Sequence, residues 1–178
     1  MCLGGDLVLL ALGVLRPAGQ HTARVLVEFL VTPALGCTET RRKPWDNHEV
    51  TTASGLRVEV EASGCLQAWT QRTHSQLSFG HVIGRTWGAN TNEFGAEPEI
   101  RVGVFVFAVQ SCKDPHGHDA LDISQWELYV VAAERVWECA YRSVNIAWVR
   151  KHADPVPFSD LAATIERVGH GGTTAASA

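Results

Sequence analysis

The sequence predicts an α/β fold in which helices flank a mixed central β-sheet, and three segments carry that prediction. Residues 22–36 place Val25, Leu26, Phe29, Leu30, Ala34 and Leu35 at helical spacing, the pattern of an amphipathic helix laid on a core. Residues 48–61 form two short runs joined at Ser54-Gly55, which reads as a β-hairpin. Arg101 to Gln110 (RVGVFVFAVQ) is a nearly continuous run of β-branched and aromatic residues, as expected of a strand covered on both faces. With 178 residues, 46% of them apolar, the chain suits one domain with a proper core.

Residues 1–20 contain the apolar stretch Leu7 to Leu15, which follows Asp6 rather than a basic segment and precedes no clear small-residue cleavage site. It is too short to cross a bilayer as a helix, so it reads as a poorly specified N-terminal segment and not as an export signal or a membrane anchor. A single domain is expected over 21–168, with a disordered tail over 169–178. In the first helix Pro33 is expected to kink or interrupt the spiral, and Gly36 to end it. The hairpin follows, its second run being Arg57-Val58-Glu59-Val60-Glu61. Ala62 to Arg72 is expected to turn into a helix carrying Gln67, Trp69 and Gln71, and Ser75 to Phe79 to form a short strand. His81 to Pro98, rich in Gly, Asn and Thr, reads as a long loop with His81, Arg85 and Trp87 as its chemistry-bearing residues. After the central strand, Lys113 to Asp119 is a Pro/Gly turn in which His116 and His118 are expected to be exposed. Gln125 to Val131 reads as a strand, Ala132 to Cys139 as a short helix and Val144 to Val149 as a further strand. Phe158 to Val168 reads as a final helix with Ser159 or Asp160 near its cap.

The chemistry concentrates in the hairpin, which has the form E-x(9)-E-x-E through Glu49, Glu59 and Glu61. Side chains of a strand alternate between faces, so Glu59 and Glu61 share one surface about 7 Å apart. Glu49 can join them across the hairpin, and three carboxylates suit a hard cation such as Mg2+ or Mn2+. Taken alone, alternating Val and Glu equally describes a half-buried strand whose polar face meets water.

This hairpin resembles the active-site hairpin of the PD-(D/E)XK phosphodiesterases, the restriction-endonuclease-like superfamily, in which an acidic residue opens one strand and a Glu-x-Lys closes the next. Glu59 to Trp69 (EVEASGCLQAW) is similar to the E-V-K-S-S-A-Y-L-Q-S-W run of a family of uncharacterised bacterial proteins expected to have that fold. The likeness extends to Val27 to Leu30 with Ala34 to Gly36, to Pro44-Trp45-Asp46 and to Asp122 to Tyr129, covering roughly residues 22–166. The resemblance implies a restriction-endonuclease-like mixed sheet flanked by helices, DNA as substrate and Mg2+ or Mn2+ as cofactor. It implies Glu49 and Glu59 as metal ligands, with Asp46 and Glu28 in reserve. Glu61 then acts as base or additional ligand, and Gln67 orients substrate or metal-bound water. Two positions depart from the pattern: Glu49 stands where it has Asp, and Glu61 stands where it has Lys. The first change keeps a metal ligand and the second inverts a charge. The resemblance therefore leaves open a metal-dependent DNA nuclease, a protein that kept the fold and binds DNA or a protein partner without catalysis, and an eroded gene product.

A formal net charge of −4 and a pI near 6.0 count against a tight nonspecific DNA binder, which usually carries a basic stripe. Arg41-Arg42-Lys43 and Arg150-Lys151-His152 are the local basic clusters, read either as phosphate contacts or as solvated turns. Five cysteines, odd in number and without a C-x-x-C, point to reduced thiols in a cytoplasmic protein rather than to a disulfide framework or a zinc site. No internal repeat, Walker loop, G-x-S-x-G or dinucleotide fingerprint occurs, and the sequence leaves the oligomeric state open.

Overall fold

The structure, a computed structural model, describes residues 20–36, 50–80, 82–85, 87–88, 91–139 and 142–171. Helix α1 (Gln20–Ala34) is followed by β1 (Val50–Thr51) and β2 (Arg57–Gly64). Next come β3 (Ser78–Gly80), β4 (Trp87–Gly88), β5 (Glu93–Phe94), β6 (Val104–Gln110) and β7 (Trp126–Ala132). The chain continues through α2 (Ala133–Glu138), β8 (Ser143–Asn145), α3 (Ile146–His152), β9 (Pro155–Val156) and α4 (Leu161–Gly171). Five strands form one sheet in the order β1-β2-β6-β7-β9, with β2 and β6 parallel and the other pairs antiparallel. The fold is thus α/β with a mixed sheet flanked by helices. Two small ladders, β3 with β8 and β4 with β5, lie outside this sheet.

Alternation along the strands separates two cores. Val58, Val60 and Ala62 of β2 join Val104, Val106 and Ala108 of β6 and Leu128 and Val130 of β7 on one face. Leu26, Val27 and Val31 of α1 and Leu161 and Ile165 of α4 cover that face. The opposite face carries Phe105, Phe107 and Val109 with Tyr129 and Val131, packed against Phe79, Val136, Val144 and Val149. All seven residues of β6 are buried, and burying such side chains contributes about 1.5–3 kcal/mol apiece. On β2 the residues that alternate with the valines are Glu59, Glu61 and Ser63. This strand therefore brings two carboxylates to the rows where β6 places Phe105 and Phe107.

The hairpin forms as the sequence predicts. The Thr52 N–H donates to the Leu56 carbonyl at 2.9 Å, and Gly55 takes φ +85°, a conformation that costs glycine least. Its turn is pinned from across the molecule. The Ser54 hydroxyl donates to Glu166 Oε2 of α4 at 2.8 Å, and the Leu56 side chain lies against two bare backbones. A Cβ on Gly103 would come within 2.6 Å of Leu56, and one on Gly169 within 2.4 Å.

Several expectations need correction. Residues 62–72 are not helical: β2 continues through Gly64 because β6 offers partners as far as Gln110, and a loop follows. Its backbone is satisfied by the Gln71 amide, which donates to the Cys65 carbonyl at 3.3 Å and accepts from the Gln67 N–H at 2.8 Å. Of 144–149 only Val144 and Asn145 are extended, in β8; the Asn145 side chain accepts from the Trp148 N–H at 2.9 Å and starts α3 instead. Pro33 lies in the last turn of α1, where the helix ends at Ala34. The strand expected over 75–79 sits at 78–80, and the long segment after it carries the short β4–β5 ladder. Gly169 to Gly171 belong to α4 rather than to the tail. His118 is only partly exposed; burial lowers its pKa below the usual histidine value. The expectations for 1–19, for Arg41-Arg42-Lys43, for Asp46 and Glu49, for His81 and for 172–178 lie outside the described residues.

Candidate functional site

Helix α1 presents two stripes. Val27, Val31 and Leu35 bury one in the core, while Arg24, Glu28 and Thr32, spaced by four, form a polar stripe beside it. Glu28 and Thr32 are 7% and 2% exposed, and the Thr32 hydroxyl donates back to the Glu28 carbonyl at 2.7 Å. Arg24 carries its guanidinium to β2. Its Nη2 donates to Glu59 Oε1, and its Nη1 lies 3.3 Å from Glu61 Oε1. One planar cation therefore bridges both carboxylates, at side-chain exposures of 28% for Arg24, 16% for Glu59 and 9% for Glu61. Like charges on one strand face repel, and a fork of N–H donors is the side chain best shaped to hold two acceptors at once.

Of the residues nominated from sequence, Glu59 and Glu61 are thus brought together, and Glu28 stands one helical turn from the arginine that joins them. Gln67 is elsewhere. Its Nε2 donates to the Gly64 carbonyl at 3.0 Å, at the far end of β2, and its buried Oε1 meets no donor among the described residues. Gly64 lies about 10 Å along the strand from Glu61. The donor chemistry of Glu59 and Glu61 suits Mg2+ or Mn2+, but among the described residues no three His, Cys, Asp or Glu side chains gather to hold a metal ion. The two carboxylates that are present already share a protein cation.

A second polar cluster lies two strands away on the same face. Register aligns Glu61 with Phe107 and Tyr129, and Ser63 with Val109 and Glu127. The Tyr129 hydroxyl donates to Glu127 Oε2, and Arg150 donates through Nη2 to the same oxygen at 2.7 Å and through Nε to the hydroxyl at 3.0 Å. Burial pushes the Glu127 carboxyl upward, but the Tyr129 and Arg150 hydrogen bonds outweigh it and hold the group below the usual carboxylate value. Burial, then the hydrogen bond to Glu127, raises the Tyr129 phenol. Of the basic run at 150–152, Arg150 is thereby committed to this cluster and the His152 ring stacks on Trp148 at 4.2 Å.

Beyond the end of β2 the loop 66–74 faces the turn at 113–115 across an open groove of about 540 Å³. Gln67, Trp69, Arg72, His74 and Lys113 line it, and no carboxylate is among its lining residues. Both walls are tied down by amides. Gln71 reaches the Cys65 carbonyl and Ser75 Oγ, while Gln110 accepts from the Cys112 N–H at 2.8 Å and donates to Gln125 at 2.8 Å. Trp69 is 62% exposed.

Sequence reasoning missed Arg24 and the groove's Arg72 and Lys113. For Arg24 a signal existed, since it precedes Glu28 by one helical turn on the helix before the acidic strand. Arg72 and Lys113 are 41 positions apart, and only the fold brings them together.

No protein-family profile matches the chain, and no curated protein or solved structure is significantly similar to it.

Proposed function

We propose that this chain is a DNA-binding protein on a PD-(D/E)XK-like scaffold that holds nucleic acid without cutting it. The Arg24 guanidinium lying across Glu59 and Glu61 carries this reading. Metal-assisted hydrolysis in the PD-(D/E)XK pattern uses carboxylate oxygens open to a divalent cation and a lysine beside the attacking water. Here both oxygens face a cation the protein supplies, and Glu61 occupies the position the pattern gives to lysine. An arginine does not give up its proton, so it replaces the charge of that lysine and not its proton chemistry. The acidic hairpin, the helix before it and the mixed five-stranded sheet support the restriction-endonuclease-like scaffold. The carboxylate-free groove at the end of β2 supports a polyanionic ligand.

One observation favours a second reading, a Mg2+- or Mn2+-dependent phosphodiesterase. Val50 of β1 lies opposite Val58 of β2, the strand that bears Glu59, and Glu49 immediately precedes Val50 in the sequence. In that reading Glu49 and Glu59 hold the metal, with Asp46 and Glu28 in reserve, and the ion supplies charge stabilisation at the phosphoryl oxygens.

Calorimetric titration of Mn2+ into the wild-type chain and Glu59→Ala, beside cleavage and binding assays on DNA, decides between the two. DNA binding with neither saturable Mn2+ uptake nor cleavage is the expected result. Mn2+ uptake and cleavage that are both lost in Glu59→Ala would install the phosphodiesterase.

A further inference from the structure

We infer that the groove between loop 66–74 and Lys113 is a binding site for single-stranded DNA, with Trp69 as the stacking platform for a base and Arg72 and Lys113 as the phosphate contacts. The inference rests on the DNA-binding reading above and gives it a location and a strand state.

Three observations converge there. The charge is local and of one sign: in a chain of net charge −4, this groove joins Arg72 and Lys113, and its described lining residues include no carboxylate. Trp69 is the second. Indoles are normally buried, yet this one is 62% exposed at the groove, on a loop whose backbone the Gln71 side chain holds at Gln67 and Thr73. An exposed ring offers a π-face to any base. Gln67 is the third. Gln67 lines the groove, and donation to the Gly64 carbonyl sets its amide and leaves a buried carbonyl oxygen with no donor among the described residues. A buried acceptor left unmet costs about 1–3 kcal/mol, and a ligand N–H offsets that cost once the side chain turns toward the groove.

The same features select the strand state. Every base carries an N–H donor on its Watson–Crick edge, and in a duplex that edge is paired and the base faces are stacked, leaving only groove-edge N–H groups free. Only an unpaired strand offers Trp69 a free face and Gln67 a free donor together. The groove volume, about 540 Å³, is of the size that takes small ligands and accommodates a nucleotide.

The test is fluorescence anisotropy with a labelled oligothymidylate of about a dozen nucleotides, its DNA duplex and the RNA counterpart, across a salt series. Trp69→Ala is expected to weaken binding of the single strand about tenfold or more. Arg72→Ala with Lys113→Ala is expected to reduce the dependence of log Kd on log salt by about 1.4, since each phosphate contact on a single strand contributes about 0.7. All three side chains are exposed, so these variants keep the fold. Lys151→Ala, an exposed cation on α3, controls for net charge and is expected to change little. Single-strand binding that survives the groove variants, or falls equally in Lys151→Ala, overturns the site while leaving DNA binding intact. Preference for the duplex or the RNA overturns the single-stranded DNA assignment. Binding to none of the three overturns both this inference and the DNA-binding reading.

Discussion

Arg24→Met removes the cation from between Glu59 and Glu61 while keeping most of the side-chain volume, and its cost follows from the geometry. Two carboxylates about 7 Å apart on one strand repel by roughly 2 kcal/mol at an effective dielectric constant near 20. Losing charge-assisted hydrogen bonds from a group 28% exposed adds about 1 kcal/mol. The sum, about 3 kcal/mol, falls between an exposed pair, worth under about 1 kcal/mol, and a fully buried one, whose breaking costs about 3–5 kcal/mol. In a chain of 178 residues it corresponds to a fall in Tm of about 6–12 °C. Urea unfolding followed by tryptophan fluorescence measures it, and Glu61→Gln in the same background separates the components by restoring roughly the repulsive part. A loss below about 0.5 kcal/mol in Arg24→Met would refute the view that this arginine clamps the acidic strand.

Other outcomes follow from the same structure. Gly169→Ala should fail to give the roughly 1 kcal/mol that alanine ordinarily gains over glycine in a helix, because its Cβ would meet Leu56 at 2.4 Å; the gain should reappear in Leu56→Ala, and thermal melts of the four chains read the cycle. Acid denaturation should show a contribution from Glu127, whose pKa the fold holds down against burial through Tyr129 and Arg150. A depressed carboxyl contributes stability above its unfolded pKa, near 4.3, and loses it as pH falls through the folded value. Arg150→Leu should accordingly flatten stability against pH below about 4.5, as read by urea midpoints across that range.

Much of this was legible in the chain. The central strand announced itself because a strand buried on both faces has no polar positions, and Val104 to Gln110 has none before its last residue. The hairpin was legible because Ser54-Gly55 supplies the one backbone that tolerates its turn. Residues 62–72 misled because Leu66, Trp69 and the glutamines suit a helix, while strand pairing with β6 and a single glutamine side chain held them in a loop. Strand and helix competed over 144–149 as well, and there the capping side chain of Asn145 decided. The pairing of Glu59 with Glu61 was a matter of strand period. That a guanidinium from α1 would lie across them was not, since it depends on how the helix packs on the sheet. The groove draws on segments that sequence does not join.

The pinning of the hairpin by Ser54 and Leu56 against α4 has a consequence for how the protein is made. Ser54 and Glu166 are separated by 112 positions. At ribosomal speeds of about 5–20 residues per second, some 6–20 s pass between synthesis of the hairpin and synthesis of the helix that secures it. During that interval the turn of the hairpin lacks its last support, and the length of the wait is set by the position of α4 in the message.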